Sequence, residues 1–106
     1  MTVTALSPVE EQRMRSLRLA NQTRFGRART KRQLASGEIT AATVAVDPPW
    51  HCRTMTLTAL LLAIPGWGPS RVRKAMRQLG VGEGKTLGAL TGRQRQLVAA
   101  FLEERT

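Results

Sequence analysis

Leu57-Thr58-Ala59-Leu60-Leu61-Leu62-Ala63-Ile64, then Pro65-Gly66-Trp67-Gly68-Pro69-Ser70, then Arg71-Val72-Arg73-Lys74-Ala75-Met76-Arg77-Gln78-Leu79 follow one another without a break. Leu57, Leu60, Leu61 and Ile64 recur at the spacing of one helix face. Val72, Ala75, Met76 and Leu79 do the same, while Arg71, Arg73, Lys74 and Arg77 take the rest of the second helix. Between the two, a pair of glycines one residue apart lets the chain turn tightly, and Pro69 suits the first turn of a helix. The pattern reads as helix, glycine hairpin, helix. Because the second helix starts directly out of the hairpin, its unpaired amides and positive dipole end face whatever approaches the turn, which favours an anion.

Toward the C-terminus, Gly80 stops the second helix, and Gly82, Gly84 and Lys85 form a loop. Leu87 to Leu90 predicts a single turn. Thr91-Gly92-Arg93-Gln94 is a capping box, and the helix that follows is expected to bury Leu97, Val98, Phe101 and Leu102. Toward the N-terminus, Thr56 caps the Leu57 helix. Asp47-Pro48-Pro49 ends a short helix over Thr40–Ala45, because proline cannot continue a helix interior. Ser7-Pro8-Val9-Glu10 combines a cap, a first-turn proline and the acid of a second capping box, and starts a helix that runs to Ala35 or Ser36 before Gly37. Leu6, Val9, Met14, Leu17, Phe25, Ala28 and Leu34 make no continuous stripe on it, so part of this helix projects from the core. Met1 to Leu6 reads as a loose tail. Nothing alternates with a period of two over a useful length. The expectation is an all-α chain: an arm region at 1–46, a proline-rich linker at 47–55 and a compact helical unit at 56–106, with Trp50 covering the back of the core.

The chain has 106 residues, with 17 Lys and Arg against 7 Asp and Glu, a net charge of +10. That imbalance says little about fold and much about partners: a polyanion is expected. Between Arg13 and Arg32 stand eight cations and no acid. A solvated helix face ordinarily mixes signs, whereas a run of one sign repels itself unless a polyanion lies against it. No apolar run approaches the ~20 residues of a membrane span. Met1 to Leu6 has no basic-then-apolar leader pattern. A lone cysteine, Cys52, fits a reducing compartment.

No catalytic set converges, and no metal or cofactor is expected. His51-Cys52 has no second ligand pair at zinc spacing. Gly66-Trp67-Gly68 follows a helix and not a strand, so it fails the context of a nucleotide-binding fingerprint. What remains is the hairpin, which resembles the helix–hairpin–helix motif, a device that holds a nucleic-acid backbone through hairpin amides without reading bases.

From Met55 onward the chain also resembles the actinobacterial integration host factor family. The resemblance is carried by Met55-Thr56-Leu57-Thr58-Ala59-Leu60-Leu61, Ile64-Pro65-Gly66-Trp67-Gly68, Val72, Met76, Leu79-Gly80-Val81, Leu87, Leu90, Arg93-Gln94-Arg95 and Phe101. The N-terminal half agrees in layout. The resemblance implies an all-helical nucleoid-associated protein of the cytoplasm that binds double-stranded DNA with little sequence preference, bends it, and assists phage integrases at their attachment sites. Two departures stand out. Where the family carries an arginine cluster this chain has Lys85-Thr86-Leu87-Gly88, and the segment from Asp47 to Cys52 differs from the more acidic, proline-free family segment. A small ribosomal protein shares the hairpin core, which makes RNA the alternative target. The lack of Tyr and the two Phe argue against a single-strand stacking platform.

The expected contacts are the hairpin residues Pro65, Gly66, Trp67, Gly68 and Ser70, then Arg71, Arg73 and Lys74 on the following helix. Arg24, Arg27, Arg29, Lys31 and Arg32 would add phosphate contacts from the arm, with Lys85 and Arg93 beyond them. Trp50, Pro65 and Trp67 are candidate wedges between base steps, Pro65 foremost. A monomer is expected. The rival from another class is a protein adaptor docked through the long helix.

Overall fold

The computed structural model describes residues 7–105; the expected N-terminal tail and Leu6 lie outside the described residues. The architecture is all-α, as expected. The helices are α1 (Pro8–Ser36), α2 (Ala41–Val46), α3 (Leu57–Leu62), α4 (Pro69–Leu79) and α5 (Gly92–Glu103), with short 3-10 turns at Trp50–Cys52 and Leu87–Ala89.

The helix ends follow local chemistry. Ser7, Thr40, Thr56 and Thr91 each accept a backbone N–H three residues on, at 3.1–3.2 Å. At Thr91 the Gln94 side chain returns the bond at 3.0 Å, completing the box, and each such cap contributes about 1 kcal/mol. At the other ends Gly37 and Gly80 are left-handed, at φ 79° and 67°.

One core runs from Leu34 to Leu102. Leu57, Leu60 and Leu61 on α3 are fully buried, with Val72, Ala75 and Met76 of α4 against them. Each such large side chain contributes roughly 1.5–3 kcal/mol by leaving water. The face of α5 is rotated from the expected one. Val98, Ala99 and Leu102 are buried, Phe101 is half-buried, and Leu97 is exposed. The reason is α2: its Ala41, Ala42 and Ala45 are small, so α5 packs closely along it. The half-buried Arg95 reaches across, its guanidinium donating to Ala45 O at 3.1 Å and Gly88 O at 3.4 Å. A cation at a helix C-terminus satisfies carbonyls that the helix itself cannot.

The proline-rich segment is no free spacer. Pro48, Cys52 and Met55 are buried, and the Trp50–Cys52 turn packs on α1. His51 Nε2 and Thr30 Oγ1 are 3.1 Å apart, and Cys52 Sγ lies 3.7 Å from the same hydroxyl. The His51 ring sits where Gly26 has no side chain: a Cβ there would fall 2.4 Å from His51 Cγ. Trp50 does not cover the core. It is 57% exposed, packed edge-on to His51.

That turn is the main anchorage of α1. Residues 7–22 are exposed on every side, and the molecule measures 62 × 27 × 23 Å. Its radius of gyration is 17.3 Å, against about 13 Å for a compact chain of this length. The arm projects because its sequence offers the core little beyond Thr30 and Leu34, the buried residues of α1.

Candidate nucleic-acid interface

The hairpin works differently at its two glycines. Gly66 has φ 82°, a conformation that residues with a Cβ rarely adopt. Gly68 is extended, at φ -88° and ψ 174°, and serves as N-cap of α4. It does not make the turn; it removes a side chain. A Cβ at either glycine would meet nothing within 4 Å, so the space before both is open to a ligand.

Among the described α-helices, α4 alone starts without a side-chain cap, since Gly68 has no side chain to offer. The amide of Val72 bonds Gly68 O at 3.1 Å and that of Trp67 bonds Ile64 O at 3.1 Å. No internal acceptor is provided for Ser70 and Arg71 at the first turn, while the other four helices use Ser or Thr for that purpose. An uncapped first turn with open space before it has the geometry to accept an anion.

The cations around it divide by helix geometry. Arg71 stands over the Trp67 ring, 4.2 Å from its centroid. With Lys74 it lines a recess of about 240 Å³ that also takes in Gln78, Phe101 and Arg105. Arg73 lies on the other flank with Ser70 and Arg77, in an open groove of about 680 Å³ closed by Gly82 and Glu83. Ser70, Arg71, Arg73 and Lys74 are all exposed, as a contact surface requires. Arg77 and Arg105 belong to the same basic surroundings and were missed; the first lay outside the expected set despite its place on the exposed face of α4.

Trp67 needs correcting. It is 8% exposed and belongs to the core, where its ring braces Arg71. Pro65 remains exposed. It lines an apolar groove of about 230 Å³ with Leu34, Ile39 and Ile64, which brings the end of α1 beside the hairpin.

On the arm, Arg27 is committed internally. Its Nε donates to His51 O at 3.0 Å and its terminal nitrogen to Thr54 Oγ1, so it holds α1 to the core. At about 100° per residue, Arg24 and Lys31 lie on one flank of α1, Arg29 on the other, and Arg32 opposite the core. Arg29 and Arg32 line an open recess of about 390 Å³ with Glu38.

Lys85 is half-buried, and its backbone closes the start of α3: its carbonyl accepts from Leu57 N at 3.0 Å. It therefore stands at the opposite end of α3 from the point where the hairpin begins. Arg93 is exposed in the first turn of α5.

Among the described residues no group of three or more His, Cys, Asp or Glu could hold a metal ion, and no helix is long and apolar enough to cross a membrane.

No protein-family model matches the sequence, and a search of curated proteins gives no match. Among solved structures, the fold is similar to that of sIHF bound to an 8-base-pair palindromic DNA. The TM-score is 0.71 at 25% identity, over 78% of this chain and 96% of that one.

Proposed function

We propose that this protein binds double-stranded DNA with little sequence preference and acts as an architectural, nucleoid-associated factor. The observation that carries the reading is the uncapped start of α4, open before Gly66 and Gly68 and flanked by Arg71, Arg73 and Lys74. The likeness in fold to a DNA-bound protein supports it. Backbone amides and arginines engage phosphates and carry no base code, so they position a duplex without reading it. Arg24, Arg29, Lys31 and Arg32 extend the basic surface along the arm, and Lys85 and Arg93 are secondary contributors. A duplex held by the hairpin and the arm together has reason to bend, and bending a short site costs only a few kcal/mol. Assistance to a site-specific recombinase, action as a monomer and residence in the nucleoid complete the proposal.

The test is a titration of duplex DNA at several salt concentrations. Six to eight neutralised phosphates give a steep log–log slope, about 0.9 per phosphate. Arg71→Ala with Arg73→Ala should lower the slope by about 2. Salt-independent binding by the wild-type chain refutes the reading, and an unchanged slope in the double variant moves the contact away from α4. Competition by duplex RNA at one salt concentration decides between the two nucleic acids.

A further inference from the structure

The eight cations of the arm are not its only unusual feature: the side of α1 that turns away from the core also carries exposed apolar side chains. Thr30 and Leu34 mark the inner side. At about 100° per residue, Met14, Phe25 and Ala28 fall within about 40° of the direct opposite and Leu17 about 60° from it, with Asn21 and Arg32 on the same side. Phe25 is 77% exposed, and Met14 and Leu17 are 42% and 48% exposed. Arg24 and Lys31 flank this edge on one side, Arg18 and Arg29 on the other. A helix with side chains is about 10–12 Å across, the width of the DNA major groove, about 12 Å. The only apolar group on the floor of that groove is the thymine 5-methyl.

We propose that the outer edge of α1 lies in the major groove, with Phe25 against thymine methyls while the arginines on its two flanks each hold one phosphate strand. The inference rests on the DNA-binding reading and adds to it a base preference that the hairpin does not supply. Charge complementarity selects the occupant: a segment with eight cations and no acid matches a phosphate lattice better than a protein helix. From Met14 to Ala28 the edge is about 21 Å long, which covers roughly six base pairs.

Binding of the full-length chain is compared on duplexes of identical sequence carrying thymine or uracil, which differ by the methyl alone. The wild-type chain should favour the thymine duplex by about fourfold for each methyl covered, the worth of one buried CH2. Phe25→Ala, at an exposed position that leaves the core untouched, should abolish the preference while retaining most of the affinity and the salt slope. Phe25→Leu should retain part of it. Arg71→Ala with Arg73→Ala should weaken both duplexes equally and keep their ratio. If the wild-type chain binds thymine and uracil duplexes alike with a steep salt slope, the groove contact is overturned, the DNA-binding reading stands, and the apolar edge falls to an acidic protein partner. If neither duplex binds, both readings fall together.

Discussion

Replacing Gly26 by Ala should destabilise the protein although helix propensity says the reverse. Gly26 lies inside α1, where alanine is favoured over glycine by about 1 kcal/mol. Against this, the new Cβ would stand 2.4 Å from His51 Cγ and 2.7 Å from both Cδ2 and Nδ1. The ring must move by more than about 1 Å to reach ordinary contact distance. It cannot do so and keep Nε2 3.1 Å from Thr30 Oγ1. The peptide that carries the ring is itself held, because Arg27 Nε donates to His51 O at 3.0 Å. Overpacking of this kind costs about 1–3 kcal/mol, and the lost hydrogen bond about 0.5–1.5 kcal/mol more. The net loss is about 2 kcal/mol, or a fall in Tm of roughly 8–16 °C. Thermal unfolding followed by circular dichroism measures it, with Gly92→Ala as control, since a Cβ at Gly92 meets nothing within 4 Å. If the clash is relieved by release of the arm, trypsin should cut at Arg24 and Arg29 faster than in the wild type. A Gly26→Ala protein with a raised Tm and an unchanged digestion pattern would refute the packing of His51 on α1.

Gly66→Ala should cost about 1–2 kcal/mol, because φ 82° is strained for a residue with a Cβ, and it should weaken duplex binding by disturbing the amides beyond it; a chemical-denaturation midpoint unchanged from wild type would oppose this. Arg95→Ala removes the donor to Ala45 O and Gly88 O and should cost about 1–3 kcal/mol, read as loss of stability with the salt slope for DNA intact. The molecule is 62 Å long, the length of roughly 18 base pairs. Affinity should therefore keep rising from 8 to about 18 base pairs, and a plateau at 8 would exclude the arm from the contact.

The parts of the fold that were readable in advance depend on near neighbours in the chain. Thr56, Thr91 and Gly37 act on amides or carbonyls within a few residues, so their roles show in a short window. The projection of α1 was readable from its broken apolar stripe. What escaped reading depends on partners distant in sequence. Nothing near His51 announces Thr30, 21 residues away, and nothing near Arg27 distinguishes it from Arg24 or Arg29, yet it alone of these is turned inward. Leu97 looked like core because leucine usually is; the alanines of α2 set the buried face of α5 elsewhere. The helix–hairpin–helix layout was legible from its glycines and apolar spacing; for Trp67 packing on the core was the commoner expectation, but its place under Arg71 depends on how α4 turns its first residues and does not show in the sequence.

The arm carries cations three or four residues apart at Arg15 and Arg18, Arg24 and Arg27, Arg27 and Lys31, and Arg29 and Arg32. Like-charge pairs at these spacings weaken a helix by about 0.2–0.5 kcal/mol each, and around Arg15 and Arg18 the exposed residues 7–22 bury little that could offset it. Dissolved ions thus act on this protein in two opposed directions. They screen the repulsion and stiffen the unliganded arm, while competing for the phosphates that the same charges would grip. Helicity of the free chain should climb along the same salt series in which its hold on DNA declines.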